Sequence, residues 1–218
     1  MVILGLTGSI GMGKSTAAAA LRRLGVPVHD ADAVVHDLLA QEGAAARAIT
    51  AVFPGVLRDG RIDRRKLGDR VFGDPAALAA LEAILHPLVR RRTMAFLKRQ
   101  ARARRQLVVL DIPLLFETGG DSLCDAVILV SAPKRIQRAR VLRRPGMTPE
   151  KFAAICAQQL PDAEKRRRAD FVVPTGLGRS ESLRRLAAIV RLMRQRPGRH
   201  WPPCARQTRH RHRRPYSL

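Results

Sequence analysis

Gly8-Ser9-Ile10-Gly11-Met12-Gly13-Lys14-Ser15, followed by Thr16, sets glycines, a lysine and a hydroxyl at the spacing of a phosphate-binding loop. Glycines allow the tight turn that aims successive backbone N–H groups at phosphate oxygens. Lys14 adds a mobile point charge for β and γ phosphates, and the Ser15 hydroxyl has the character of a Mg²⁺ ligand. The motif follows an apolar run, Val2 to Leu6, and precedes an alanine-rich stretch, Lys14 to Leu24, stopped by Gly25. That is a buried strand, a turn and a helix whose N-terminal dipole points at the same anion. Gly8, Gly11, Met12, Gly13, Lys14, Ser15 and Thr16 are therefore the nucleotide-binding candidates, with Ser15 the metal candidate.

A phosphate donor needs an acceptor and a base. Asp32 stands just past a second short strand, Val26 to His29, and carboxyl ends of strands border the ligand crevice in doubly wound sheets. An aspartate there can take a proton from an attacking hydroxyl. Either Asp30 or Asp32 can instead cap the helix that follows; having both lets one cap while the other works. Arg140 and Arg144 are four apart on one predicted helix, beside Gly146 and a charged surround that includes Lys165 to Arg168. They read either as lid arginines that neutralise a moving phosphoryl group or as a solvated basic face. Asp111 ends a buried strand, as a metal-directed acid would, or caps the turn after it. His86, alone on a helical stripe, reads as structural.

The elements that position these residues alternate. Strands are expected at Leu107–Asp111, Ala126–Val130 and Phe171–Val173, and helices at Pro133–Arg144, Pro149–Gln159 (capped by Thr148) and Ser180–Gln195. Asp74-Pro75 opens another helix carrying Leu78, Leu81, Leu85 and Leu88, which Pro87 is expected to bend or divide. Strands alternating with helices give an α/β fold with a parallel sheet.

Composition bounds the alternatives. The chain has 218 residues and a net charge of +23, with 46% apolar residues. Eight arginines and no acid fall in residues 194–218, and removing them lowers the charge to +15. The only Trp and Tyr, Trp201 and Tyr216, lie in that tail, so the body lacks the mixed aromatic platform of a single-strand binder. No specific nucleic-acid partner is expected. Nor is a membrane, since no run approaches the ~18 apolar residues of a span. Cys124, Cys156 and Cys204 form neither a disulfide framework nor a zinc pattern, and with no leader the chain reads as cytoplasmic. After Arg196 the sequence turns to Pro, Arg and His, the composition of a disordered tail.

Several segments, in order, resemble the dephospho-coenzyme A kinase family: Gly5 to Thr16, Asp30-Ala31-Asp32, Leu85-His86-Pro87-Leu88 and Pro113-Leu114-Leu115-Phe116-Glu117. The Arg140/Arg144 pair, Gln159, Lys165, Arg168-Ala169-Asp170 and Val172-Val173 complete the set. Pro174-Thr175-Gly176 stands where the family commonly carries an Asp-Asn pair, and Met12 where a small residue is usual. The resemblance implies a P-loop kinase domain over 1–196, with a helical substrate-binding lobe near 60–105 and a lid near 140–168, leaving 197–218 as tail. It implies transfer of the ATP γ-phosphoryl group, with Mg²⁺, to the ribose 3′-hydroxyl of dephospho-coenzyme A. By the same likeness Asp32 is the base, Lys14 and Arg140 act on the phosphoryl group, and Arg144 binds nucleotide. His86, Pro113, Leu114 and Leu115 fall by the acceptor.

Overall fold

The computed structural model describes residues 1–40 and 43–202. In chain order the elements are β1 (Val2–Thr7), α1 (Lys14–Arg23), β2 (Val28–Asp30), α2 (Ala31–Ala40), α3 (Ala44–Val52), β3 (Leu57–Arg58), β4 (Arg61–Ile62) and α4 (Arg64–Val71). Then follow α5 (Pro75–Arg102), β5 (Leu107–Asp111), β6 (Ala126–Ser131), α6 (Lys134–Leu142), α7 (Pro149–Ala157), α8 (Asp162–Arg168), β7 (Phe171–Pro174) and α9 (Arg179–Arg194).

Five strands form one sheet in the order β2-β5-β1-β6-β7. β1 pairs in parallel with β5 (Leu4 opposite Val109) and with β6 (Leu6 opposite Ile128), and β6 pairs in parallel with β7. Every residue of β1, β5 and β6 is buried, which explains why these strands read as unbroken apolar runs rather than alternating ones. Leu4, Leu6, Val109, Ile128 and Val130 share a core with Leu21 of α1 and Leu186 and Ile189 of α9. This α/β architecture, a parallel sheet flanked by helices, is the one expected.

The chain divides into two compact units, Asp30–Arg99 and the remainder. The helical unit thus begins at Asp30, not near 60, because Leu39 of α2 and Ile49 of α3 pack in one core with Phe53, Ile62, Leu67, Leu81 and Leu85. Within it Asp74 Oδ1 accepts the amides of Ala76 and Ala77, so α5 starts where the Asp-Pro pair sets it. Pro87 does not divide that helix, which runs unbroken from Pro75 to Arg102. Of the expected leucine stripe, Leu81 and Leu85 are buried, while Leu78 is exposed.

Residues 203–218, most of the stretch read as disordered, lie outside the described residues. Residues 197–202 are held: the Asp125 carboxylate accepts the Arg199 amide at 2.6 Å and the His200 amide at 3.2 Å, with His200 Nδ1 3.0 Å away. Among the described residues no helix is long and apolar enough to cross a membrane.

Candidate active site

The phosphate loop leaves β1 through Gly8, which passes so close to β6 that a Cβ there would lie 2.4 Å from Val130 Cγ2 and 2.8 Å from the Val130 carbonyl oxygen. No side chain fits. The loop ends at Gly13, whose φ of 90° lies in the left-handed region and which serves as N-cap of α1. No side chain caps α1 and no acid stands in its first turn, so its amides and dipole face whatever anion enters. Met12 is buried, and its Sδ accepts the Ala132 amide at 3.0 Å, leaving only backbone for the loop. Ser15 and Thr16 are exposed on the first helical turn.

Lys14 is held from β5. The β1–β5 register sets Asp111 opposite Leu6, and the Lys14 Nζ donates to Asp111 Oδ1 at 2.8 Å. The carboxylate is 2% exposed, so this ion pair is little screened. Thr7, fully buried, donates its hydroxyl to the Pro113 carbonyl at 2.8 Å and ties the turn after β5 to the strand that feeds the loop. Leu114 is partly exposed. Leu115, expected by the acceptor, is fully buried, its Cδ2 pressed against Gly5.

Arg140 reaches the loop from α6. Its Nη2 donates to the Thr175 carbonyl at 2.7 Å and its Nη1 to Thr175 Oγ1 at 3.1 Å, with Gly11 O at 3.5 Å. Arg144 does not share a helical face with it, because α6 ends at Leu142 and Arg144 lies in the exposed turn beyond. Asp32 and His86 belong to the other compact unit. There Asp30 Oδ1 accepts the Ala33 amide at 3.0 Å, so capping falls to Asp30, and Asp32 is exposed in the first turn of α2. His86 is exposed on α5.

A buried charge centre anchors a segment that touches the loop. Lys165 of α8 is fully buried with its Nζ 2.7 Å from Glu117 Oε1, which also accepts the Leu160 amide at 3.0 Å. Burial raises the Glu117 carboxyl, but the Lys165 contact, two backbone amides and the Lys165 charge outweigh it and hold the group below its ordinary value. Next to Leu160, Gln159 Oε1 accepts the Ile10 amide at 3.1 Å, so the segment that pairs with Glu117 also touches the phosphate loop. Lys165 to Arg168 read in sequence as part of a charged surround of a lid. The signal for a helix was there: Asp162 and Glu164 in the first turn and Lys165 to Arg168 in the last match the helix dipole.

A glycine-rich loop between a central parallel strand and an uncapped helix, with a lysine in it and an arginine behind it, is the site of a P-loop kinase. The family model for dephospho-CoA kinase matches residues 2–177. Over 194 residues the chain is 66% identical to the dephospho-CoA kinase of Paramagnetospirillum magneticum, covering 89% of this chain and 92% of that one. It is 60% identical over 195 residues to that of Rhodospirillum rubrum, covering 88% and 92%. A crystal structure of a Thermus thermophilus protein, 41% identical, superposes with a TM-score of 0.73 over 88% of this chain and 96% of that one. The chain belongs to the dephospho-CoA kinase family.

Proposed function

We propose that the protein transfers the γ-phosphoryl group of ATP to the 3′-hydroxyl of the dephospho-coenzyme A ribose, giving coenzyme A and ADP. The observation that carries the nucleotide half is the uncapped α1 N-terminus with Lys14 poised at 2.8 Å from Asp111. Backbone amides of the loop and the helix dipole bind the phosphates, and Lys14 exchanges its contact with Asp111 for the β and γ oxygens.

Mg²⁺ fits the donors present. Ser15 offers an exposed hydroxyl and Asp111 a carboxylate, both hard oxygen ligands, and Mg²⁺ commonly takes one or two such groups alongside substrate phosphates. Among the described residues no group of three or more His, Cys, Asp or Glu side chains forms a dedicated metal cage, in keeping with a metal shared with substrate. When bound, the ion neutralises charge on the phosphates.

Asp32 is the base. It follows the carboxyl end of β2 directly, and the capping role beside it is taken by Asp30. It accepts the 3′-hydroxyl proton as that oxygen bonds to the γ-phosphorus and the bond to the β–γ bridging oxygen breaks. Arg140 and Arg144 meet the transferring group from the lid near 140–168, and His86, Pro113 and Leu114 contact the acceptor. ADP release measured with purified protein tests the assignment: release must depend on dephospho-coenzyme A, and release indifferent to it, or equal with nucleoside monophosphates, overturns it.

A further inference from the structure

The phosphate loop is held from outside through its carbonyls. The Gln137 Nε2 donates to the Ile10 carbonyl at 2.8 Å, and the Thr175 hydroxyl donates to the Met12 carbonyl at 2.7 Å. Gln137 sits on α6 and is nearly buried; Thr175 follows β7 and is fixed by its own amide, which donates to the Ser131 carbonyl at 2.8 Å. In a planar trans peptide the carbonyl and the next N–H point in opposite directions. Tying the Ile10 and Met12 carbonyls outward therefore turns the Gly11 and Gly13 amides the other way.

Two other amides of the turn are already engaged. Ile10 N–H donates to Gln159 and Met12 N–H to the Ser9 carbonyl at 3.1 Å. The amides of Gly11 and Gly13 find no protein acceptor among the described residues, and these are the two whose direction Gln137 and Thr175 set. A flexible glycine turn is thereby fixed before any ligand arrives, which removes part of the ordering cost of binding. Two polar side chains spent on loop carbonyls, rather than on solvent, are what that job requires.

We propose that Gln137 and Thr175 are positioning residues for nucleotide binding, orienting the Gly11 and Gly13 amides toward the ATP phosphates. This rests on the nucleotide reading above. It assigns a use to Thr175 in the segment where the chain departs from its family's Asp-Asn pair.

The test compares Thr175→Val, which keeps the shape without the hydroxyl, with Thr175→Ser, which keeps the donor. Direct ADP binding and both Michaelis constants are measured. Thr175→Val is expected to weaken ADP binding and raise KM for ATP about tenfold, the scale of one or two lost hydrogen bonds. KM for dephospho-coenzyme A should stay within twofold, and Thr175→Ser should restore the ATP values to within about threefold. Arg140 keeps its Nη2 bond to the Thr175 carbonyl in both variants but loses its Nη1 bond to the hydroxyl in Thr175→Val, so Gln137, which makes no hydrogen bond to Arg140, separates the two effects. Gln137→Glu, which replaces the donor by a repelled carboxylate, should reproduce the effect.

Unchanged ADP affinity in Thr175→Val overturns the proposal. So does equal loss for both substrates with no rescue by serine, and so does failure of both Thr175→Val and Gln137→Glu to fold, since the role is then structural. Wild-type protein that binds no ADP would instead sink the nucleotide reading itself.

Discussion

Lys14 and Asp111 stand at the ends of neighbouring elements in one sheet, ammonium and carboxylate 2.8 Å apart, with the carboxylate almost wholly buried. A lysine on a flexible four-carbon stem would otherwise sample many rotamers. Here a fixed anion holds it extended at the mouth of the loop. On the proposed reading, phosphates that claim the lysine would release this carboxylate for a cation.

Lys14→Ala should lower kcat by at least about a hundredfold, the scale of a preorganised charge on a transferring group. Asp111→Asn keeps the size but not the charge, and should raise the Mg²⁺ concentration needed for half-maximal rate. Steady-state rates across a Mg²⁺ series check both. An Asp111→Asn enzyme with an unchanged Mg²⁺ profile would leave the aspartate with the lysine alone.

Asp32→Asn should cost at least about a hundredfold in kcat, with both Michaelis constants held within about threefold. Asp30→Asn is the matched control: asparagine caps helices as well as aspartate, so α2 and the rate should both persist. Near-wild-type turnover in Asp32→Asn removes that residue as base.

Sequence made the strand–loop–helix core legible because its signals are local. β1, β5 and β6 are apolar without interruption, and the loop's glycines are fixed by spacing. What stayed hidden depends on partners distant in the chain. Gln137, Thr175 and Gln159 bind backbone groups of residues 10 and 12, which no periodicity announces. Lys165 looked like one more basic residue among four, and only the position of Glu117 turns it inward. The β3–β4 hairpin was missed for another reason: Asp59-Gly60, both at positive φ between Leu57 and Ile62, is a two-residue hairpin turn, yet strands of two residues carry too little pattern to stand out.

Lys165→Met should destabilise the protein by about 3–5 kcal/mol, since it strands the Glu117 carboxylate. The double change Lys165→Met with Glu117→Gln should recover much of that loss, because the buried pair's net worth is small beside the cost of breaking it. Urea unfolding of the wild type and the two variants measures it. Equal stability of single and double variants would mean the pair is solvated.

The same pair predicts an acid limb. Glu117 lies below its ordinary value of 4.5 in the folded chain. Its contribution is therefore complete above that value and is lost as pH falls through the lowered folded value. Chemical unfolding midpoints between pH 7 and pH 3 should drop below about pH 4.5, and the drop should shrink in the Glu117→Gln, Lys165→Met background.

Asp125 has a consequence for anyone who shortens or tags this chain. Its carboxylate, 5% exposed, accepts the Ile3 amide of β1 through one oxygen and the Arg199–His200 turn through the other. Cutting after residue 196 would strand a buried acceptor and cost about 1–3 kcal/mol. The strand that ends in the phosphate loop begins at this latch. A pull on the C-terminal fusion is thus a pull on the root of the nucleotide site.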